Sequence, residues 1–171
     1  MAIGDSPQCD EPVKPPLGVP PPLVTLIILG VSLGIHFAFP QTILPEGWVQ
    51  FVVGIPVIVI GLALGLSTNV AFNKADTDDR FATPTSVIVQ TGANARIRNP
   101  MYVGLVLIYL GIVLTVNAAW ALLGLPVLVG YLHFGVIHRE EGYLETCFEG
   151  EYLAYKARVP RWIPRLVTET S

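Results

Sequence analysis

Charged residues are scarce in this sequence of 171 residues: Asp, Glu, Lys and Arg make up 13% of it, against about 25% in an ordinary soluble domain. Hydrophobic residues reach 52%, which is more apolar surface than a soluble domain of this size can bury. The net charge of −3 comes without a basic run, so nucleic acid is not an expected partner. Together these properties indicate an integral membrane protein.

Metal-binding residues are also few. The two cysteines, Cys9 and Cys147, do not form a CxxC spacing, so the sequence predicts no cysteine-based zinc site. Asp76, Asp78 and Asp79 form a short acidic run, but it lies in a polar loop without other evident ligands. We therefore predict no metal site.

Three stretches contain no Asp, Glu, Lys or Arg: one between Lys14 and Glu46, one over 47–73, and one over 99–138. The third, as a single helix, would be about 60 Å long, roughly twice the hydrocarbon thickness of a bilayer. It must therefore turn, and Asn117 is the natural place. The fold class predicted is an all-α bundle of four transmembrane helices near 23–39, 48–72, 101–116 and 118–138.

The ten Lys and Arg residues are confined to the N-terminal tail, the loop between helices two and three, and the segment after helix four. The positive-inside rule then places both termini and the 73–100 loop in the cytoplasm. We accordingly divide the chain into a proline-rich tail (1–22), a transmembrane core (23–139) and a cytoplasmic segment (140–171). In that last segment, apolar and aromatic residues recur at positions 144, 148, 152 and 155, which predicts an amphipathic helix over the bundle mouth.

Polar residues gather where helix four leaves the membrane. His133 and Glu140 are seven residues apart, so a regular helix would place them on one face. An ionisable side chain at membrane depth is a functional candidate, although a neutral histidine bonded to a neighbouring helix fits equally well. The adjacent carboxylates, Glu140 and Glu141, are by themselves typical of a solvated helix end.

A second polar cluster opens helix three. Pro100 suits a first helical turn, and Asn99 is a plausible cap. The free N–H groups of such a turn, with Arg96 and Arg98 beside it, favour an anion. The alternative for Arg98 is that it extends towards lipid phosphate.

These two clusters resemble the signatures of the isoprenylcysteine carboxyl methyltransferase and phospholipid methyltransferase superfamily. The segment 98–104, Arg-Asn-Pro-Met-Tyr-Val-Gly, is similar to its Arg-His/Asn-Pro-x-Tyr-x-Gly motif, and Glu140-Glu141-x-x-Leu144 is similar to its second motif. Phe148, Gly150-Glu151-Tyr152, Tyr155 and Val159-Pro160 match the usual continuation. Asn rather than His at position 99 is the variant of bacterial members, so we expect a bacterial inner membrane.

The resemblance implies S-adenosylmethionine as cofactor and a lipophilic acceptor that enters from the bilayer, either an isoprenylcysteine-type carboxylate or another small hydrophobic O, N or S nucleophile. It implies that residues 140–171 cap the cofactor. The cofactor-binding residues that it implies are Ile88, Val89, Arg98, Asn99, Pro100, Met101, Tyr102, Gly104, Glu140, Glu141, Leu144, Tyr152 and Tyr155.

The predicted catalytic residues are His133 and Arg139. An amine or hydroxyl acceptor needs a base, and His133 is the best-placed group. The arginine that contacts prenylcysteine in eukaryotic members aligns here with Val136, and Arg139 is the nearest cation. The family usually has Pro and an aromatic residue where this chain has Ala93 and Asn94, so stacking on adenine is not implied at this point.

Two other functions stay open. Sterol-type reductases share a related membrane architecture and use NADPH, and a non-catalytic membrane subunit would keep the fold alone. Membrane lipids are expected partners in each case. Two pairs of glycines at a spacing of four, Gly30 with Gly34 and Gly61 with Gly65, allow close helix packing and would permit a homodimer.

Overall fold

The computed structural model describes residues 18–45, 47–74 and 88–164, and the regular secondary structure of these residues is helical, without any strand. Helix α1 spans Pro21–Ala38, α2 spans Val49–Lys74 and α3 spans Pro100–Val116. A short 3₁₀ turn, Gly92–Ala95, precedes α3. After α3 the chain is helical through four successive pieces: a 3₁₀ turn at Ala119–Leu123, α4 at Gly124–Gly130, a π-helical segment at Tyr131–Ile137, and α5 at His138–Arg158.

Three helical stretches are long and apolar enough to cross a membrane: α1, α2 and the continuous stretch Ala119–Arg158. Helix α3 is equally apolar but has 17 residues. Large apolar side chains are exposed along these helices; Phe51, Val59 and Leu66 of α2 are examples. Such a surface is compatible with lipid contact and confirms the prediction of an all-helical protein suited to a membrane.

The predicted bounds of the first three helices agree with α1, α2 and α3 to within two residues. The fourth predicted helix, 118–138, differs, because the chain does not leave the helix at His138 but continues to Arg158. A break in that continuation lies at Glu149, whose φ of 33° and ψ of −113° are not helical. The count of four crossings stays a prediction.

Glycines bring α2 and α3 into close contact. A Cβ on Gly61 would lie 2.8 Å from the carbonyl oxygen of Gly104, and one on Gly104 would lie 2.7 Å from that of Gly61. Gly54 and Gly111 form a second contact of the same kind. The two glycines of α2 are seven residues apart, and so are the two of α3. The helices therefore meet through glycine along two turns of each. By contrast, an added Cβ at Gly30, Gly34 or Gly65 would meet no atom within 4 Å.

Asn117 ends α3 in the left-handed conformation, with φ 61° and ψ 40°. Its Oδ1 accepts hydrogen bonds from the backbone N–H groups of Ile43 and Leu44, both at 2.8 Å, and its Nδ2 donates to the Leu44 carbonyl at 2.9 Å. Asparagine tolerates this conformation better than most residues. The predicted turn is therefore present, and its side chain ties the α1–α2 connection to the end of α3.

Several predictions fall on residues outside the described ranges. They concern most of the proline-rich tail, the acidic run with Asp76, Asp78 and Asp79, the part of the 73–100 loop over 75–87, and residues 165–171.

Candidate functional site

The first turn of α3 and the first turn of α5 are joined by a side-chain hydrogen bond. The fully buried Tyr102 donates its hydroxyl proton to Oε1 of Glu140 at 2.6 Å. These residues belong to the two motifs quoted above, 38 positions apart. The structure therefore brings the two motifs together at one place in the fold, as the resemblance implied.

The neighbouring carboxylate, Glu141, has a different environment. It is 3% exposed, and its Oε1 lies 3.2 Å from Nη1 of Arg98 and 3.0 Å from Nε of Arg161. Nη2 of Arg161 donates to its other oxygen. A buried carboxylate is stable only when it is paired in this way, so Glu141 joins α5, the start of α3 and the segment after α5.

Arg161 follows α5 and is therefore outside the helical stretches that could cross a membrane. The hydrogen bond to Glu141 raises the pKa of Arg161 above its ordinary value. The guanidinium thus stays charged, and the contact is a charge-assisted fork to one carboxylate. The segment after α5 has a further tie to α3, because the Arg98 backbone N–H donates to the Pro160 carbonyl at 2.9 Å.

Aromatic residues of α5 pack beside this ionic group. Tyr152, Tyr155 and Val159 are buried and form a cluster with Ile88, Leu144 and Phe148. The Tyr155 hydroxyl donates to the carbonyl oxygen of Asn94 at 2.6 Å. The positions that recur at helical spacing in the sequence thus share one packed surface, which holds the segment 88–95 against α5.

Two asparagine side chains in this region carry unsatisfied donors. Asn94 is 2% exposed and Asn99 is 3% exposed, and Nδ2 of each has no hydrogen-bond partner among the residues that the structure describes. Asn99 occupies the N-cap position of α3, but its side chain makes no capping hydrogen bond, so the expectation of a capping side chain is wrong. Buried amide donors without partners are rare in proteins, and here they suit the acceptor atoms of a bound ligand.

His133 lies in the π-helical segment Tyr131–Ile137. Its Nδ1 accepts a hydrogen bond from Nε1 of Trp162 at 3.0 Å, and its Nε2 lies 3.3 Å from Nη1 of Arg161. The same arginine contacts Glu141, eight residues after His133. A π-helical turn closes its hydrogen bond one residue later than an α-helical turn, so the spacing of a regular helix does not apply across this segment. The shared face of His133 and Glu140 stays a prediction.

The other predicted site residues have varied surroundings. Pro100 is fully buried, Val89 is buried, and Met101 is half-buried. Gly104 faces Gly61 of α2 and so takes part in helix packing. Arg139 is exposed on α5. Within the described ranges, no group of three or more His, Cys, Asp or Glu residues is arranged to hold a metal ion.

Reasoning from the sequence did not single out Arg161 as a site residue. A buried carboxylate needs a cation, and Arg161 follows the amphipathic segment, but the sequence does not show that Glu141 is buried. Asn94 was noted only as a departure from the family pattern, and nothing in the sequence shows that its amide is buried.

Comparison with known proteins agrees with this geometry. The profile of the phospholipid methyltransferase family matches residues 49–151, more than half of the chain. An uncharacterised protein of Haemophilus influenzae is 40% identical over 63 residues, which are 37% of this chain and 100% of that protein. No solved structure matches the chain. The matched range contains both motifs that meet at Tyr102 and Glu140, and the chain belongs to the phospholipid methyltransferase family.

Proposed function

We propose that this protein is a membrane methyltransferase that uses S-adenosylmethionine and acts on a lipophilic acceptor. The hydrogen bond between Tyr102 and Glu140 is the observation that supports this most directly. It joins the two family motifs at the N-terminal turn of α3, beside the buried charges of Arg98 and Glu141.

The residues present fit such a cofactor. Glu140 suits the cationic sulfonium and ammonium groups, and Arg98 with the N-terminal turn of α3 suits the carboxylate. The buried amides of Asn94 and Asn99 have donors available for the acceptor atoms of its nucleoside or its carboxylate. When bound, the cofactor supplies an electrophilic methyl group on a positively charged sulfur.

The chain's own part in the reaction is to bind, orient and keep water away. Transfer of a methyl group is an in-line displacement, so holding donor and acceptor in line in a dry site can supply much of the rate. Tyr102 orients the Glu140 carboxylate, and the aromatic residues Tyr152 and Tyr155 cover the site from α5. A carboxylate or thiolate acceptor needs no base, whereas an amine or hydroxyl does, and His133 is the proposed base for that case. Arg139, the nearest cation on α5, is the second proposed catalytic residue.

Isothermal titration calorimetry of the purified protein in neutral detergent tests the proposal. We expect S-adenosylmethionine and its demethylated product, S-adenosylhomocysteine, to bind, and we expect NADPH not to bind. Binding of NADPH alone would favour a reductase. Binding of the donor without turnover on any prenylated, lipid or thiol acceptor would favour a non-catalytic subunit.

We further propose a four-crossing topology in a bacterial inner membrane, with both termini, residues 73–100 and the capping segment 140–171 in the cytoplasm. Helix α3, at 1.5 Å per residue, is about 26 Å long, a little less than the ~30 Å hydrocarbon core. The exposed apolar face of α2 and the distribution of Lys and Arg support this arrangement. Reporter fusions after residues 45, 87, 117 and 171 test it, and activity of a periplasmic reporter at 87 would contradict it.

A further inference from the structure

The imidazole of His133 contacts a hydrogen-bond donor at each of its two nitrogens. Trp162 Nε1 lies 3.0 Å from Nδ1, and Arg161 Nη1 lies 3.3 Å from Nε2. The indole N–H and the guanidinium N–H groups only donate hydrogen bonds. A neutral imidazole has one donor and one acceptor nitrogen, so it can satisfy only one of these two neighbours.

The shorter and better-defined contact decides the tautomer. If Nδ1 accepts from Trp162, the ring proton is on Nε2, and this N–H then lies beside an N–H of Arg161. Protonation of the ring would place a donor against both neighbours, which is less favourable still. The pair formed by His133 Nε2 and Arg161 Nη1 is therefore a pair of donors that lie side by side.

Arg161 uses its other two nitrogens elsewhere. Nε and Nη2 form the fork to Glu141, and Nη1 is the nitrogen that faces the imidazole. Arg98 and Arg161 share the one carboxylate of Glu141, and Glu145 is a further negative charge that acts on Arg161. Nη1 of Arg161 has none of these carboxylate contacts, and an added oxyanion would accept from both side-by-side donors.

The surroundings of the pair are apolar and exposed. Phe134, next to His133, is 74% exposed, and Ile163, next to Trp162, is 77% exposed. Trp162 itself is half-buried, with its ring nearly parallel to the imidazole, at an interplanar angle of 17°. Tryptophan beside exposed apolar residues is typical of the membrane–water boundary, where the headgroup of an amphiphile lies.

From these contacts we propose that Arg161 Nη1 and His133 Nε2–H form a binding site for an oxyanion. The oxyanion belongs either to the headgroup of a lipophilic ligand or to the carboxylate of the methyl donor. The second source rests on the proposed function and would place that carboxylate at Arg161 and His133 in place of Arg98. Trp162 is a positioning residue for the site, because its N–H holds the imidazole in the tautomer that donates from Nε2. In this tautomer His133 is a hydrogen-bond donor to the oxyanion and does not act as the base proposed above.

The tautomer is measurable by ¹⁵N NMR of the full-length protein, labelled at histidine, in detergent. The chain has three histidines, so the signals of His133 are assigned as those lost in His133→Phe. We expect the Nε2–H form in the wild type. In Trp162→Phe we expect a shift towards the Nδ1–H form, because Nε2 is then free to accept from Arg161. An Nδ1–H tautomer in the wild type would overturn the proposal.

Calorimetry identifies the source of the oxyanion. The first probe is dodecyl phosphate, and dodecanol is its neutral control. The second probe is S-adenosylhomocysteine, and methylthioadenosine, which lacks the carboxylate, is its control. Arg161→Lys keeps the charge but loses the side-by-side donors, and should weaken binding of one anionic probe by about 10-fold, the loss expected for a charge-assisted contact. Arg158→Lys is the matched control, because Arg158 is exposed and contacts Gln90.

Each outcome of the calorimetry either assigns the oxyanion to one source or rules the site out. Weaker binding of dodecyl phosphate alone assigns the site to a headgroup, and it would do so even if the donor did not bind and the proposed function failed. Weaker binding of S-adenosylhomocysteine, with methylthioadenosine unchanged, assigns it to the donor's carboxylate. If neither anionic probe is affected by Arg161→Lys or by Trp162→Phe, the site does not exist.

Discussion

Glu140 and Glu141 are adjacent in sequence but have separate roles in the structure: Glu140 accepts a hydrogen bond from Tyr102, whereas Glu141 is enclosed by Arg98 and Arg161. Successive residues of a helix point about 100° apart, so adjacent carboxylates face different neighbours. We therefore expect changes at the two positions to have different effects, one on donor binding and the other on stability.

Glu140→Ala should weaken binding of S-adenosylhomocysteine by about 10–100-fold, the effect of losing a charge-assisted contact worth roughly 1.5–3 kcal/mol. Tyr102→Phe removes the hydroxyl that orients Glu140 and should weaken binding less, by about fivefold. Calorimetry in detergent measures both. Glu145→Gln is the control, because Glu145 pairs with Lys156 on the same helix. Equal affinity in Glu140→Ala and the control would contradict the role of Glu140.

Glu141→Ala should instead lower the free energy of unfolding by about 3–5 kcal/mol, the usual effect of removing one partner from a buried ion pair. The reason is that Arg98 and Arg161 would face each other without a carboxylate between them. Thermal unfolding in detergent, followed by circular dichroism, measures the change. A melting temperature equal to that of Glu145→Gln would show that the ionic group contributes nothing.

Gly61→Ala should destabilise the protein by about 1–3 kcal/mol, as overpacking does in a tight interface. The added methyl group would meet the Gly104 backbone, which cannot move away as a flexible side chain does. Gly30→Ala is the matched control: its methyl group would meet no atom, and alanine is the better helix former by about 0.5–1 kcal/mol. Equal melting temperatures for Gly61→Ala and Gly30→Ala would contradict the close contact of α2 with α3.

Asn117→Gly should lower stability by about 2–3 kcal/mol, because three hydrogen bonds of about 1 kcal/mol each are lost while the left-handed conformation stays accessible. Asn117→Ala should lower stability by about 1–2 kcal/mol more than Asn117→Gly, since the left-handed conformation is also unfavourable for alanine. The difference in melting temperature between the two variants isolates the backbone contribution. A more stable Ala variant would show that Asn117 is not left-handed.

The charge-free stretches were enough to predict α1, α2 and α3 and the turn at Asn117, because apolar length and Asn chemistry are local properties. The meeting of Tyr102 with Glu140 followed only from the resemblance, since contacts between distant residues depend on packing. The π-helical segment could not be predicted: its register depends on how His133 meets Trp162 and Arg161. The end of the fourth predicted helix at His138 also differs, because helical structure continues into α5, which packs against residues 88–95. Where the chain leaves the membrane stays a prediction.

Asn94 supplies a test of the cofactor site that is independent of charge. Its side-chain amide is buried, and Nδ2 has no hydrogen-bond partner within the described part of the chain, whereas the backbone carbonyl oxygen of Asn94 accepts from the Tyr155 hydroxyl. If Nδ2 donates to the methyl donor, Asn94→Leu should weaken binding of S-adenosylhomocysteine by about 5–20-fold, through the loss of one hydrogen bond at a buried site. The same change should leave the melting temperature of the ligand-free protein equal or slightly higher, because it removes a buried donor that no protein group satisfies. A purely structural asparagine would show the opposite pattern, with lower stability and unchanged affinity. Measuring both quantities on one preparation therefore distinguishes a ligand contact from a packing role.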